Sequence, residues 1–199
     1  MEFPGRTREP PVSRSSLILW LYAALSLLGL LIGVARGDNN LFLLDNRNSL
    51  WLLVSPLVGV AAGLLVVFLT RLCVHRFTWA RRLHRDFRAL LGALTARDLL
   101  ILAAASSVGE ELLFRGALLP WLGLLPSSIV FALLHVGPGI RFLPWTASAF
   151  LAGLLFGQLF LWLGDLGAPI VAHFTINYLN LNYIVRVDLP VESTSVGGR

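Results

Sequence analysis

The chain has 199 residues, of which 56% are hydrophobic and 14% charged, against about 25% charged in a soluble domain. With a mean hydropathy of +0.76, this composition excludes an ordinary soluble globule and a disordered protein, and the length suits one helical bundle. The net charge of +5 is carried entirely by arginine and clusters between apolar segments, as membrane topology would place it, so it gives no sign of nucleic-acid binding.

Residues 1–16 hold Arg6, Arg8, Arg14 and three prolines and read as a disordered, basic tail. Residues 17–35 contain nineteen residues without a charge, enough to cross roughly 30 Å at 1.5 Å per residue. That run exceeds the apolar core of a signal peptide, about 7–15 residues. A polar link follows at 36–49, and the second span is expected at 49–70. Residues 71–98 then set seven arginines against Asp86 and Asp98, a net +5. Within that stretch Trp79, Leu83, Phe87, Leu90, Leu91 and Leu94 recur at helical spacing, with arginines on the other face. The pattern predicts an amphipathic helix at the membrane surface that meets anionic lipid.

The third span is expected at 99–119, ended by Pro120, Gly123 and Pro126. A short fourth helix is expected at 127–135, with Ser127 or Ser128 as its N-cap. The fifth covers 144–163, with Gly153 and Gly157 as a close-packing face. The sixth covers 168–185, with Pro169 in its first turn, and a polar tail runs from 186 to 199. The expected fold is therefore all-α: a polytopic transmembrane bundle of about six membrane segments plus the interfacial helix. Residues 17–185 form its one domain. Basic residues at the N-terminal tail and at 71–98 place both on the cytoplasmic side, and six spans return the C-terminus there.

Polar groups inside these apolar segments carry the chemistry. Glu110 and Glu111 sit together, with Arg115 as the only other charge between 99 and 125. Carboxylates at bilayer depth cost roughly 3 kcal/mol or more each, so they mark a functional site. Arg115 lies four residues beyond Glu111, which allows an ion pair along one helix face. Glu110 has Phe114 at that position instead. A carboxylate without a cation, in apolar surroundings, suits general-base work. His135 ends a fourth apolar run, and His173 and Asn177 share one side of the sixth. Each polar residue alone has a structural reading: a neutralised pair, a core histidine, an asparagine joining helices. Together they point to one buried active site. Ser106 and Ser107 lie about one turn before Glu110, but no motif pairs them with a histidine as a nucleophile. His75 and His84 fall in the basic stretch. The lone Cys73 excludes an intrachain disulfide and a cysteine metal cluster.

The sequences EELLFR at 110–115, FALLH at 131–135 and HFTIN at 173–177 resemble, in order, the EExxxR, FxxxH and HxxxN motifs of the CPBP intramembrane proteases. That family includes type II CAAX prenyl endopeptidases and bacteriocin-processing or Abi proteins. The resemblance covers about residues 99–180. It implies a glutamate-type peptidase in which Glu110 activates a water and His135 helps to hold it. His173 and Asn177 would donate to the oxyanion, while Glu111 and Arg115 orient the site. The implied substrate is a membrane-embedded or membrane-tethered protein or peptide, in the cytoplasmic membrane of a bacterium. No cofactor or metal is expected. The alternatives are a zinc-dependent protease using the same residues, since two histidines and a carboxylate can bind zinc, and a non-enzymatic immunity or carrier protein with Glu110 as a proton relay.

Overall fold

The computed structural model describes residues 14–38, 40–43 and 51–189. The tails expected to be disordered lie almost wholly outside the described residues, as does much of the polar link at 36–49. Among the described residues there is no β-strand, and the chain is an all-α bundle. Its helices are α1 (Arg14–Arg36), α2 (Trp51–Arg76), α3 (Thr78–Leu91), α4 (Ala96–Glu111), α5 (Leu119–Leu122), α6 (Leu124–Leu133), α7 (Leu143–Leu163) and α8 (Gly167–Arg186).

Three of these are long and apolar enough to cross a membrane, or four if α3 and the helix running 96–122, bent by 106°, count as one span. The count is lower than six for a physical reason. α1 and α2 are apolar all round and expose Trp20, Leu21, Leu57 and Leu65 to the surroundings, as lipid-facing helices do. α4 and α8 stand at the expected places, but α4 has only 16 residues before its helix changes winding, and α8 carries His173 and the amides of Asn177, Asn180 and Asn182. α1 packs on α4, and α2 and α7 flank α8. α6, at ten residues, is too short to cross.

The packing depends on small residues. α2 lies against α8 where a Cβ on Gly59 would meet the Ala168 carbonyl oxygen at 2.5 Å and one on Gly63 would meet Thr175 Cβ at 2.7 Å. The expected face of Gly153 and Gly157 receives Ser128 and Leu124 of α6. Ser127 and Ser128 do not cap α6. Gly123, with φ of +84°, turns the chain, the helix starts at Leu124, and both hydroxyls donate back to carbonyls of its first turn.

The two ends of the bundle are tied separately. At one end Ser15 on α1 donates to Asp98 at the start of α4, and α3 meets the end of α8 through His84 to the Val187 carbonyl at 2.9 Å. At the other end Arg36 donates to the Ala117 carbonyl at 2.7 Å, and Leu43 pairs with Asp165. Buried Ser55 bonds Asp165 there and receives the Ala168 amide at 2.7 Å, fixing the start of α8 to α2.

Candidate active site

The helix bearing the two glutamates is not regular throughout. α4 starts with a reciprocal capping box between Thr95 and Asp98, which satisfies two otherwise orphaned amides. After Glu111 it widens into a π-helical segment, Leu112–Leu118, before resuming as α5. Pro120 supplies the reason: it has no N–H and its ring would collide with the carbonyl four residues earlier. In the wider turn the Leu119 amide reaches the Phe114 carbonyl instead. Such π segments recur at functional sites, and this one holds Arg115.

Glu110 lies fourteen residues into α4, and His173 lies thirteen residues from the end of α8. At 1.5 Å per residue both are about 20 Å from the same end of the bundle, so they meet at one level. His135 joins them just beyond the end of α6, where Thr146 donates to its carbonyl at 2.7 Å. The structure thus brings Glu110, Glu111, Arg115, His135 and His173 together, with Asn177 one turn along α8.

Glu111 and Arg115 are almost fully buried and paired at 3.0 Å. The guanidinium also donates to the Gly153 carbonyl at 3.3 Å and lies 4.5 Å from the Phe131 ring centroid and 5.1 Å from that of Phe156. The same Glu111 oxygen accepts from His173 Nδ1 at 2.7 Å. The His173 ring stacks on Phe156 at 5.1 Å, which fixes its remaining freedom. His135 Nδ1 donates to the Phe131 carbonyl at 2.7 Å. A carbonyl only accepts, so in the neutral ring His135 Nε2 carries no proton.

Both Nε2 atoms face Glu110. Its Oε2 lies 3.7 Å from His135 Nε2 and 3.9 Å from His173 Nε2, and it is buried with no hydrogen-bond partner among the described residues. Those separations are too long for direct bonds and suit bridging by a water. Asn177 Nδ2 donates to Ser106 Oγ at 3.0 Å, which leaves its second N–H for another acceptor.

Three further contributors were not read from the sequence. Ser106 holds Asn177; its spacing of four before Glu110 was the available signal. Phe131 is more than a motif letter, since its ring contacts those of His135 and His173 at centroid distances of 4.4 and 6.2 Å and lies beside Arg115. Tyr22 of α1 packs against the glutamate-bearing helix at Gly109, where an added Cβ would stand 3.1 Å from Tyr22 Cβ, and no sequence pattern linked it to the motifs.

As for zinc, no group of three or more His, Cys, Asp or Glu among the described residues is arranged to hold a metal ion. Ligands of a tetrahedral zinc at about 2.0–2.1 Å stand about 3.3 Å apart, closer than Glu110 Oε2 and either Nε2.

Carboxylates, imidazoles and an amide therefore meet in the interior of an apolar helical bundle. Residues 92–179, which contain every site residue from Glu110 to Asn177, match the family model described as Type II CAAX prenyl endopeptidase Rce1-like. That segment, 88 of the 199 residues, is similar to this family, in agreement with the resemblance read from the three motifs. The chain is also 37% identical over 82 residues to the uncharacterized protein YpbD of Bacillus subtilis (strain 168). That alignment spans 40% of this chain and 41% of the relative, well under two thirds of the relative's length. No solved structure matches. The apolar helices and the family match mark a multi-pass membrane protein.

Proposed function

We propose that the protein is an intramembrane endopeptidase that cleaves a membrane-embedded or membrane-tethered protein with a water activated by Glu110. One observation carries this reading: a buried carboxylate oxygen without a partner, faced within 4 Å by two imidazole nitrogens. A water there would donate one proton to Glu110 Oε2 and the other to His135 Nε2. As its oxygen attacks the scissile carbonyl, Glu110 takes the proton. The developing oxyanion would receive the free Asn177 N–H and a proton on His173 Nε2. For the latter, His173 must carry both ring protons. With Glu110 and Glu111 ionised and Arg115 cationic, that extra proton brings the site to neutrality. Collapse of the intermediate breaks the C–N bond, and Glu110 returns its proton to the leaving amine.

The basic end is read as cytoplasmic from its arginines, in the cytoplasmic membrane of a bacterium. A cleft of about 520 Å3 between α3 and the start of α7 gathers Trp79, Arg82, Arg85 and Arg141 against the one carboxylate Asp86, a net positive lining that supports contact with anionic lipid headgroups. The deciding experiment maps new peptide termini in membranes of cells carrying the wild-type protein or Glu110→Gln. The expectation is a set of membrane-protein termini present with the wild type and absent with the variant. Identical termini in both, with equal protein levels, would overturn the peptidase reading in favour of a non-enzymatic role.

A further inference from the structure

Unlike the two glutamates, Arg115, His173 and Asn177, His135 stands outside any helix. Its side chain is 20% exposed, against 10% for Glu110 and 5% for His173, so burial alone holds it least. Its amide bonds the Ala132 carbonyl at 2.9 Å, which leaves the Phe131 carbonyl to Nδ1 at 2.7 Å. Carbonyls in the last turn of a helix need such outside donors. That bond selects the tautomer, but a ring held at one atom can still swing about it. Two consecutive residues in the first turn of α7 supply the rest. Thr146 donates its hydroxyl to the His135 carbonyl at 2.7 Å, which fixes the main chain. The Trp145 ring stands edge-on to the imidazole at 5.4 Å, with the planes 70° apart. Trp145 is backed in turn by α3: its ring meets Phe87 at 5.0 Å, and Phe87 meets Phe142 at 5.2 Å. The loop after His135 closes on the same cluster, since a Cβ on Gly137 would run into the Phe142 ring.

We propose that Trp145 and Thr146 are positioning residues for His135. The hydroxyl holds its main chain and the indole limits the swing of its ring, so that Nε2 stays turned towards Glu110 Oε2, 3.7 Å away. His173 needs no such clamp, because its Nδ1 is bonded to Glu111 and its ring stacks on Phe156 within α7 and α8. One indole separates the imidazole from Phe87, so the amphipathic helix α3 braces the site as well as lying along its basic end. This inference rests on the reading of a water held between Glu110 and His135.

The test uses the full-length protein in liposomes with an internally quenched, farnesylated CAAX-type peptide as probe. Trp145→Leu is expected to lower kcat by about 10-fold or more, towards the roughly 100-fold that a misplacement of about 1 Å costs, with KM changed less than about twofold. Trp145→Phe keeps a ring beside the imidazole and is expected to restore most of the rate. Thr146→Val is expected to lower kcat, whereas Thr146→Ser, which keeps the hydroxyl, is expected to match the wild type. Ser148→Ala, whose hydroxyl bonds the Trp145 carbonyl within its own helix at 2.8 Å, is expected to match it too. Adding Trp145→Leu to His135→Gln should cost nothing further; a further loss of the same size would show that Trp145 acts through folding and would overturn the inference. Nitrogen NMR of histidine-labelled protein needs no substrate, and His135→Gln identifies the His135 signals. The wild type should show one His135 ring form, protonated at Nδ1. Trp145→Leu with Thr146→Val should add a second form protonated at Nε2, with His173 unchanged. Should Trp145→Leu fail to assemble, Thr146→Val against Thr146→Ser carries the same comparison. Wild-type kcat in Trp145→Leu and Thr146→Val beside an inactive Glu110→Gln would overturn this inference alone. Full activity of Glu110→Gln would overturn the base reading and the inference with it. If the wild type leaves the probe intact, the nitrogen spectra decide: a second ring form in the variants supports the clamp, and an unchanged His135 signal overturns it.

Discussion

Arg115→Met is a direct test of the buried charge network. Arg115 and Glu111 are 3% and 0% exposed at their side chains and 3.0 Å apart, so neither charge has water to fall back on. Methionine fills much of the arginine volume and keeps the packing beside Phe131 and Phe156. What it removes is the countercharge. Glu111 is left with the His173 Nδ1 contact at 2.7 Å and a second oxygen that has no partner. Breaking a buried pair on one side costs about 3–5 kcal/mol, a large part of a typical folding free energy. Folded yield should fall sharply. The double variant Glu111→Gln with Arg115→Met removes both charges, and its stability should return to within about 1 kcal/mol of the wild type. Its glutamine oxygen still accepts from His173 but carries no charge, so cleavage should remain slower by about tenfold. The assay is denaturant unfolding in mixed micelles followed by tryptophan fluorescence, with peptidase activity measured on the folded fraction. If Arg115→Met lies within about 1 kcal/mol of the wild type, or the double variant is no more stable than Arg115→Met, the buried pair is not what holds this region.

Other outcomes follow from the same geometry. Activity is expected to survive metal-depleted buffer, because Glu110, the imidazoles and Asn177 supply base and donors; stoichiometric zinc lost with activity and restored on re-addition would refute that. Arg85→Cys, in a Cys73→Ser background, is expected to react with a membrane-impermeant thiol reagent only from the cytoplasmic side. Labelling from the outer side would reverse the topology. His84, buried against the end of α8, is held below the ordinary histidine value, chiefly by burial and further by Arg71 and Arg88, against the opposing pull of Val187 and Asp188. The unfolded chain takes up that proton first, so the stabilising contribution is complete above about pH 6.5 and is lost as pH falls below it. Unfolding midpoints measured from pH 8 to 5 should decline below pH 6.5 less steeply in His84→Gln than in the wild type. Equal slopes would remove His84 from the account.

The sequence alone determined the all-α membrane fold, the amphipathic α3 and the identity of the motif residues. Apolar runs and helical periodicity are local properties, and a charge in an apolar run is conspicuous wherever it is buried. The pairing of Glu111 with Arg115 was legible for the same reason, since a spacing of four is one helical turn. The number of full spans was less legible, because hydropathy does not reveal which helices are sheltered: α4 and α8 carry polar groups at a depth that only their apolar neighbours permit. The start of α6 was misplaced because Gly123 at positive φ outweighed two serines that suit an N-cap. Tertiary structure alone decided which glutamate oxygen faces the histidines, that Ser106 holds Asn177, and that Tyr22 lies against Gly109. These contacts join residues 71 and 87 positions apart, on helices whose approach is set by the space left at Gly109, Gly59 and Gly63. Sequence periodicity describes one helix at a time, whereas the site arises from the distances at which several helices pack.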